Sequence, residues 1–303
     1  MPRAAGVCFP LLLLFLLPSA GGAQAVPSGT RNPAKNRAIL NLKAERTSRL
    51  DLELSGNLAG LFKGSKAYLR RKDLLALPQV EFTASNDANF TQPVKIRGVE
   101  LQVLAKYFGA DGERALLVAI SRDYYRGFYP QAYREIHRPV LVLEVNGQPP
   151  SGWPKGRGGN SLGPYLITHD KFVPGYKILA HEEEPQIPWG VVRLEFEDEK
   201  TVFGPIAPRG AGADSPSIQS GYHIAQQNCL RCHANSDEHT KGTITWSAMA
   251  IMAARSPGQF AAYVKDPTSF SPNSEMSPNP EYDDATLQAL IDYFTTFAPP
   301  ATK

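Results

Sequence analysis

The side chains best equipped for chemistry are gathered in one pentapeptide, Cys229-Leu230-Arg231-Cys232-His233. Two thiols three residues apart can each add across one vinyl group of the same porphyrin, giving two thioethers. The next residue's imidazole is then placed to bind the iron. Such an attachment keeps the porphyrin on the chain through any loss of an iron ligand. A zinc site would need two further close ligands; His223 and His239 exist, but a second cysteine pair does not. A redox dithiol belongs at a strand-to-helix junction, whereas this motif ends a helical pattern. A structural disulfide is the remaining use of the two thiols. The chain has only three cysteines, the third being Cys8, which excludes a disulfide-stapled scaffold. The spacing points to one covalently attached haem c, with Cys229 and Cys232 as the anchors and His233 as the proximal iron ligand.

The second axial ligand is read from position. Besides Met1, the chain has Met249, Met252 and Met276. Met249 and Met252 lie three apart in a helical stretch, where a methionine packs the core by default. Met276 sits in a loop rich in Ser, Pro and Asn, where an apolar side chain needs another reason to be ordered. His239, in the polar segment 237–241, is the rival. Met276 is the expected distal ligand, and thioether sulfur favours Fe(II), giving a high-potential centre.

Elements must hold these residues in place. The chain of 303 residues is 42% hydrophobic and 20% charged, an ordinary globular composition that excludes disorder and collagen. Its length favours two domains. Thirty-two basic against 29 acidic residues give a net charge of +3, too balanced for a nucleic-acid binder. Residues 1–25 read as a cleaved secretory signal: Arg3, an apolar run over 9–17, then Ala23-Gln24-Ala25. That run is too short to span a bilayer, and no other stretch approaches the length needed, so the mature chain is expected to lack a membrane span. Residues 26–50 form a polar, basic leader. Strands are expected at 80–83, 94–98, 115–120, 140–145 and 191–196, with helices at 72–77 and 100–108. This defines a strand-rich α+β domain over 51–204. A Gly/Pro/Ala-dense linker at 205–215 precedes an all-α domain over 216–303, with helices from Pro216 to about Cys229, at Trp246–Arg255, at Pro257–Lys265 and at 284–297.

Several residues of the strand-rich part carry ordinary readings. His137 and His169 are expected as satisfied core or surface histidines, and Glu182, Glu183 and Glu184 as a solvated loop. Arg122, Tyr124, Tyr125 and Arg126 cluster after a strand, where tyrosine packing at a sheet edge is the default. Asn89-Phe90-Thr91 fits a glycosylation sequon that a periplasmic protein would not use.

Residues 216–300 resemble a class I cytochrome c domain. The resemblance rests on the attachment motif, on Gly221 eight residues before Cys229, on Tyr263-Val-Lys-Asp-Pro267, and on Met276 before the final helix. It implies that Gly221 lets the first and last helices cross closely, against Tyr293 or Phe294. Residues 51–204 resemble the sulfite-oxidase-like, molybdopterin-binding-type fold. The matching stretches are Arg71-Lys-Asp-Leu-Leu-Ala-Leu-Pro78, Ile96-Arg-Gly-Val-Glu-Leu101, Ala119-Ile-Ser-Arg-Asp-Tyr124, Val142-Leu-Glu-Val-Asn-Gly147 and Leu162-Gly-Pro-Tyr-Leu166. Catalytic members of that group ligate molybdenum through a cysteine thiolate. The expected mature chain has no cysteine outside its pentapeptide, so molybdopterin is not expected.

The resulting expectation is an exported, periplasmic electron carrier whose partner is another redox protein: a dehydrogenase, a cytochrome or an oxidase. The strand-rich domain would dock that partner or hold a ligand. The alternative is a molybdenum oxidoreductase of sulfite dehydrogenase type, and a third class is a haem-based sensor or peroxidase with an open iron position.

Overall fold

The computed structural model describes residues 42–58, 64–234 and 239–299. The expected signal at 1–25, the leader as far as residue 41, and Asp237 and Glu238 lie outside the described residues. The end of the leader is held down: Lys43 bridges to Tyr68, and the Asp51 carboxylate accepts from the Thr47 and Ser48 amides.

The elements run β1 (Leu52–Gly56), β2 (Ala67–Leu69), α1 (Arg71–Leu75), β3 (Val80–Ala84), β4 (Val94–Glu100), α2 (Leu101–Phe108), β5 (Ala115–Ser121), β6 (Arg126–Pro130), α3 (Gln131–His137) and β7 (Val140–Val145). They continue with β8 (Tyr165–Thr168), β9 (Lys177–Ile178), β10 (His181–Glu182), β11 (Trp189–Asp198), α4 (Glu199–Phe203), α5 (Pro216–Ile224), α6 (Trp246–Arg255), α7 (Pro257–Lys265) and α8 (Asp284–Thr295). Nine strands form one mixed sheet with a path β2-β1-β11-β8-β7-β4-β3; β5 pairs with β11 and with β6. Only β1 and β11 run parallel. β9 and β10 make a separate hairpin.

One core packs β1, β5, β7 and β11 against α1, α2 and α3, through residues such as Leu74, Leu104, Leu117, Ala119 and Leu141. A second core takes the other side of β5. There Leu116, Val118 and Ile120, with Phe128 of β6, pack into one cluster with Ile224, Trp246, Phe260, Leu290 and Phe294 from the later helices. Each of these side chains contributes roughly 1.5–3 kcal/mol by leaving water.

This arrangement corrects the expected fold class. Helices do succeed one another from Pro216 onward, but they do not form a separate all-α domain of class I cytochrome c type. The chain is a mixed α/β protein with a large mixed sheet and eight helices among the described residues, and the helices share a core with the sheet. The physical reason lies in β5: an uninterrupted apolar run needs a cover on each face, and the later helices supply one of them. The segment between the two parts is also pinned. Ile206 is buried, its carbonyl accepts from the Tyr293 hydroxyl at 2.6 Å, and the Phe203 carbonyl accepts from Tyr222 at 3.1 Å.

α5 crosses α8 at Gly221. A Cβ at that position would overlap the Ala289 carbonyl and press on the Tyr293 Cβ at 2.7 Å. The aromatic at the crossing is Tyr293. Because backbone rather than a flexible side chain is in the way, Gly221→Ala should separate the helices. Its expected cost is about 1–3 kcal/mol, read as a lower Tm in thermal unfolding.

Candidate functional site

Local sequence explains how the pentapeptide is presented. Ser215 caps α5 through its side chain, accepting from the Ile218 amide, and Pro216 opens the first turn. The helix then widens into a π-helical turn over Ala225–Cys229, where the Leu230 amide reaches back to the Ala225 carbonyl at 3.0 Å. Such a turn inserts one residue and rotates the chain beyond it, a device common at functional sites. The amides of Cys232 and His233 both donate to the Cys229 carbonyl, at 3.2 and 2.9 Å, which folds the motif tightly.

His233 is fixed from two sides. Its Nδ1 lies 2.7 Å from the Ile244 carbonyl, so Nδ1 carries the proton and the Nε2 lone pair is left available. Gly242 lies against the ring: a Cβ there would come within 2.6 Å of His233 Cε1. Burial lowers the imidazole pKa, against a smaller opposing effect of the Ile244 carbonyl, and keeps it neutral. Burial also pushes the Cys229 thiol up to about 12 and raises Cys232. Both cysteines are free thiols, and neutral ones, unlike the low-pKa thiolate of a redox dithiol.

Cys229, Cys232, His233 and Met276 all line one cavity of about 950 Å³. That is the upper end of the range for cofactor sites. On the helix side the wall is apolar, with Ile224, Phe260, Val264, Leu290 and Phe294. Met249 and Met252 reach it as well, so all three methionines of the described chain face the same space; Met249 is buried and Met276 is half-buried. His239 does not line it: it is exposed, with its ring centroid 5.5 Å from that of Tyr124. His223 is exposed on α5, and among the described residues no three His, Cys, Asp or Glu side chains gather to hold a metal ion. A large, half-apolar cavity, two neutral thiols, a tautomer-locked histidine and a thioether on its walls fit a covalently held haem. They do not fit zinc.

The remaining wall comes from the sheet and its loops, including Ser121, Asp123, Tyr125, Glu184 and Trp189. Sequence reading did not place any of these at the site. Of these, Tyr125 and Glu184 meet Arg231, the second intervening residue of the motif, which is 9% exposed. Its Nη1 donates to Glu184 at 3.1 Å, and its carbonyl accepts from the Arg126 amide at 2.9 Å. The Gln186 amide, with its oxygen toward Arg231, accepts from Nη2 at 2.6 Å. Burial works against the guanidinium charge, but the Tyr125 and Glu184 oxygens outweigh it and raise the Arg231 pKa. Lys241 ties the adjoining loop to Asp123 at 2.6 Å and to Glu275 at 3.3 Å. The expected solvated loop at 182–184 is corrected accordingly. Only Glu182 is exposed; Glu183 is buried against His137 Nε2 at 3.0 Å, and Glu184 holds Arg231 and Asn228. The signal available was the alternation His181, Glu183 inward against Glu182 outward.

His137 and His169 are core residues away from the cavity. The Tyr133 hydroxyl meets His169 Nε2 at 3.0 Å. Comparison with protein-family models and with curated proteins finds no match to this chain.

These contacts make two outcomes testable. Arg231→Ala takes the guanidinium from the buried Gln186 oxygen, while Glu184 keeps Asn228 as a donor, and should cost roughly 1–3 kcal/mol, measured by denaturant unfolding. Burial, reinforced by His137, lowers the His169 pKa to about 3, below its unfolded value of 6.5. The unfolded chain therefore binds a proton that the native chain refuses. This contribution is complete above pH 6.5 and is lost as pH falls from 6.5 toward 3. His169→Gln should flatten that part of the stability curve.

Proposed function

We propose that this protein is an exported one-electron carrier of the periplasm. Cys229 and Cys232 would hold one haem c through thioethers, with His233 Nε2 and Met276 Sδ as axial ligands. The observation that carries this reading is the convergence of these four residues on a single cavity, with His233 Nδ1 already engaged by a backbone carbonyl. When bound, the haem supplies reversible Fe(III)/Fe(II) exchange.

The chain's own residues set the conditions. The Ile244 carbonyl orients His233 and raises its basicity as a ligand. The apolar helix side keeps water away, which disfavours the more highly charged state of the centre. Arg231 adds a fixed positive charge beside the attachment motif, with the same sign of effect. The sheet side closes the cavity and offers a docking surface to a redox partner protein. No helix among the described residues is long and apolar enough to cross a membrane. The segment 1–25 would direct export.

The test is spectroscopic. Purified wild-type protein should carry covalent haem by pyridine haemochrome. Cys229→Ala or Cys232→Ala should each shift that band as one thioether is lost, and the double variant should not retain haem covalently. Met276→Ala should abolish the near-infrared sulfur-to-iron band of the ferric protein, open the iron to carbon monoxide and lower the potential. Far-UV dichroism should be unchanged. A band that survives Met276→Ala but disappears in Met249→Leu or Met252→Leu moves the ligand to α6. Absence of covalent haem in the wild type rejects the proposal.

A further inference from the structure

One buried group beside the cavity has no part in holding a cofactor. His181, in β10, is 1% exposed. Its Nδ1 lies 3.1 Å from the Tyr282 hydroxyl, and its Nε2 is buried without a hydrogen-bond partner. An unpartnered buried nitrogen costs free energy and calls for a physical reason. Tyr282 and Asn228 line the cavity, and Asn228 Nδ2 donates to the Tyr282 oxygen at 2.8 Å and to Glu184 at 3.1 Å. A single phenol hydroxyl therefore separates a titratable imidazole from the cofactor space.

We propose that His181 is a redox-linked proton site, taking up one proton from solvent when an electron enters the cavity. The inference rests on the haem reading. The electron comes from the carrier's redox partner, and its arrival removes one unit of positive charge from the cavity. The proton on His181 restores that charge. One N–H bond forms, and no other group is oxidised or reduced. The Tyr282 hydroxyl suits the relay: it donates to Nδ1 of the neutral ring, and its oxygen can accept from Nδ1–H of the imidazolium.

The charges facing His181 set the pH range. Glu184, on the strand's own continuation, favours the imidazolium, and Arg231 of the attachment motif opposes it. Tyr282, before α8, is a phenol kept neutral by burial. The ion pair of Lys177 with Glu182 on the same hairpin is exposed. Burial dominates and holds His181 below its ordinary value, so the ring is neutral at pH 7 and the coupling operates on the acid side.

The midpoint potential of the haem-loaded wild type, measured between about pH 5 and 8, should rise as pH falls. The slope should be at most about 59 mV per tenfold change in proton concentration. His181→Gln should give a flat potential with unchanged oxidised and reduced spectra, and His223→Gln, on the exposed side of α5, should keep the wild-type slope. A second reading needs no variant: the His181 ring resonance should titrate at higher pH in the reduced than in the oxidised protein. A pH-independent wild-type potential, a slope that persists in His181→Gln, or equal titration in both states overturns the proposal. A wild type without covalent haem overturns it together with the carrier reading, whereas a flat potential in haem-loaded protein overturns it alone.

Discussion

From Leu116 to Ser121, β5 has no residue that water reaches freely. Its odd-numbered apolar side chains Leu117 and Ala119 enter the core under α1, α2 and α3, and its even-numbered ones, Leu116, Val118 and Ile120, enter the core of the later helices. A strand buried on both faces must have a layer on each. That requirement makes the helices from Pro216 onward a layer of one molecule, and it fixes which side of them is left to line the cavity. Burial of apolar area thus decides the architecture before any polar contact is counted.

Polar contacts then set the register of the two parts. Arg231 is the centre of that arrangement, because it belongs to the Cys229–His233 pentapeptide yet its side chain bonds to the loops on the sheet side. Tyr125, Glu184 and Gln186 surround it, and neighbouring links from Asn228 to Glu184, Lys241 to Asp123 and Ala180 to Thr286 repeat the same connection. Half-exposed ion pairs add little net stability, whereas the buried Arg231 guanidinium is penalised if its partners are misplaced, which fixes position at the boundary. The cavity inherits its two characters from this boundary: apolar on the helix side, polar and hydrogen-bonded on the sheet side.

The residues that carry the proposed chemistry are legible in the chain itself, because they are local. Two thiols and an imidazole in five consecutive residues hold one another close whatever the fold does, and the capped start of α5 depends on near neighbours; the Gly221 crossing, a contact with distant α8, was expected only from the family resemblance. The main strands β5 and β7 announced themselves through apolar runs, and β3, β4 and β11 through alternation of apolar and polar residues. The strands β1, β2, β6, β8, β9 and β10 did not, being short or polar and held by pairing partners up to some 140 residues away, as β1 is by β11. The run at 115–120 read simply as a strand; it is apolar throughout, as a strand covered on both faces is, but periodicity carries no information about which segment provides the cover.

What only the tertiary structure decided is everything that depends on contact between distant segments. Glu184, 47 residues before Arg231, reads as part of a solvated loop; the fold makes it the partner of a buried guanidinium. His181 carries no signal in its own sequence neighbourhood; Tyr282, 101 residues on, gives it a partner. Met249, Met252 and Met276 are ranked by local sequence into core and loop, yet folding brings all three to one cavity. The sequence by itself determined the reactive groups and their local geometry, since covalent connectivity holds neighbours together. Only the fold decided their solvent, charge and partners, because burial is a property of whatever chain comes to lie on top.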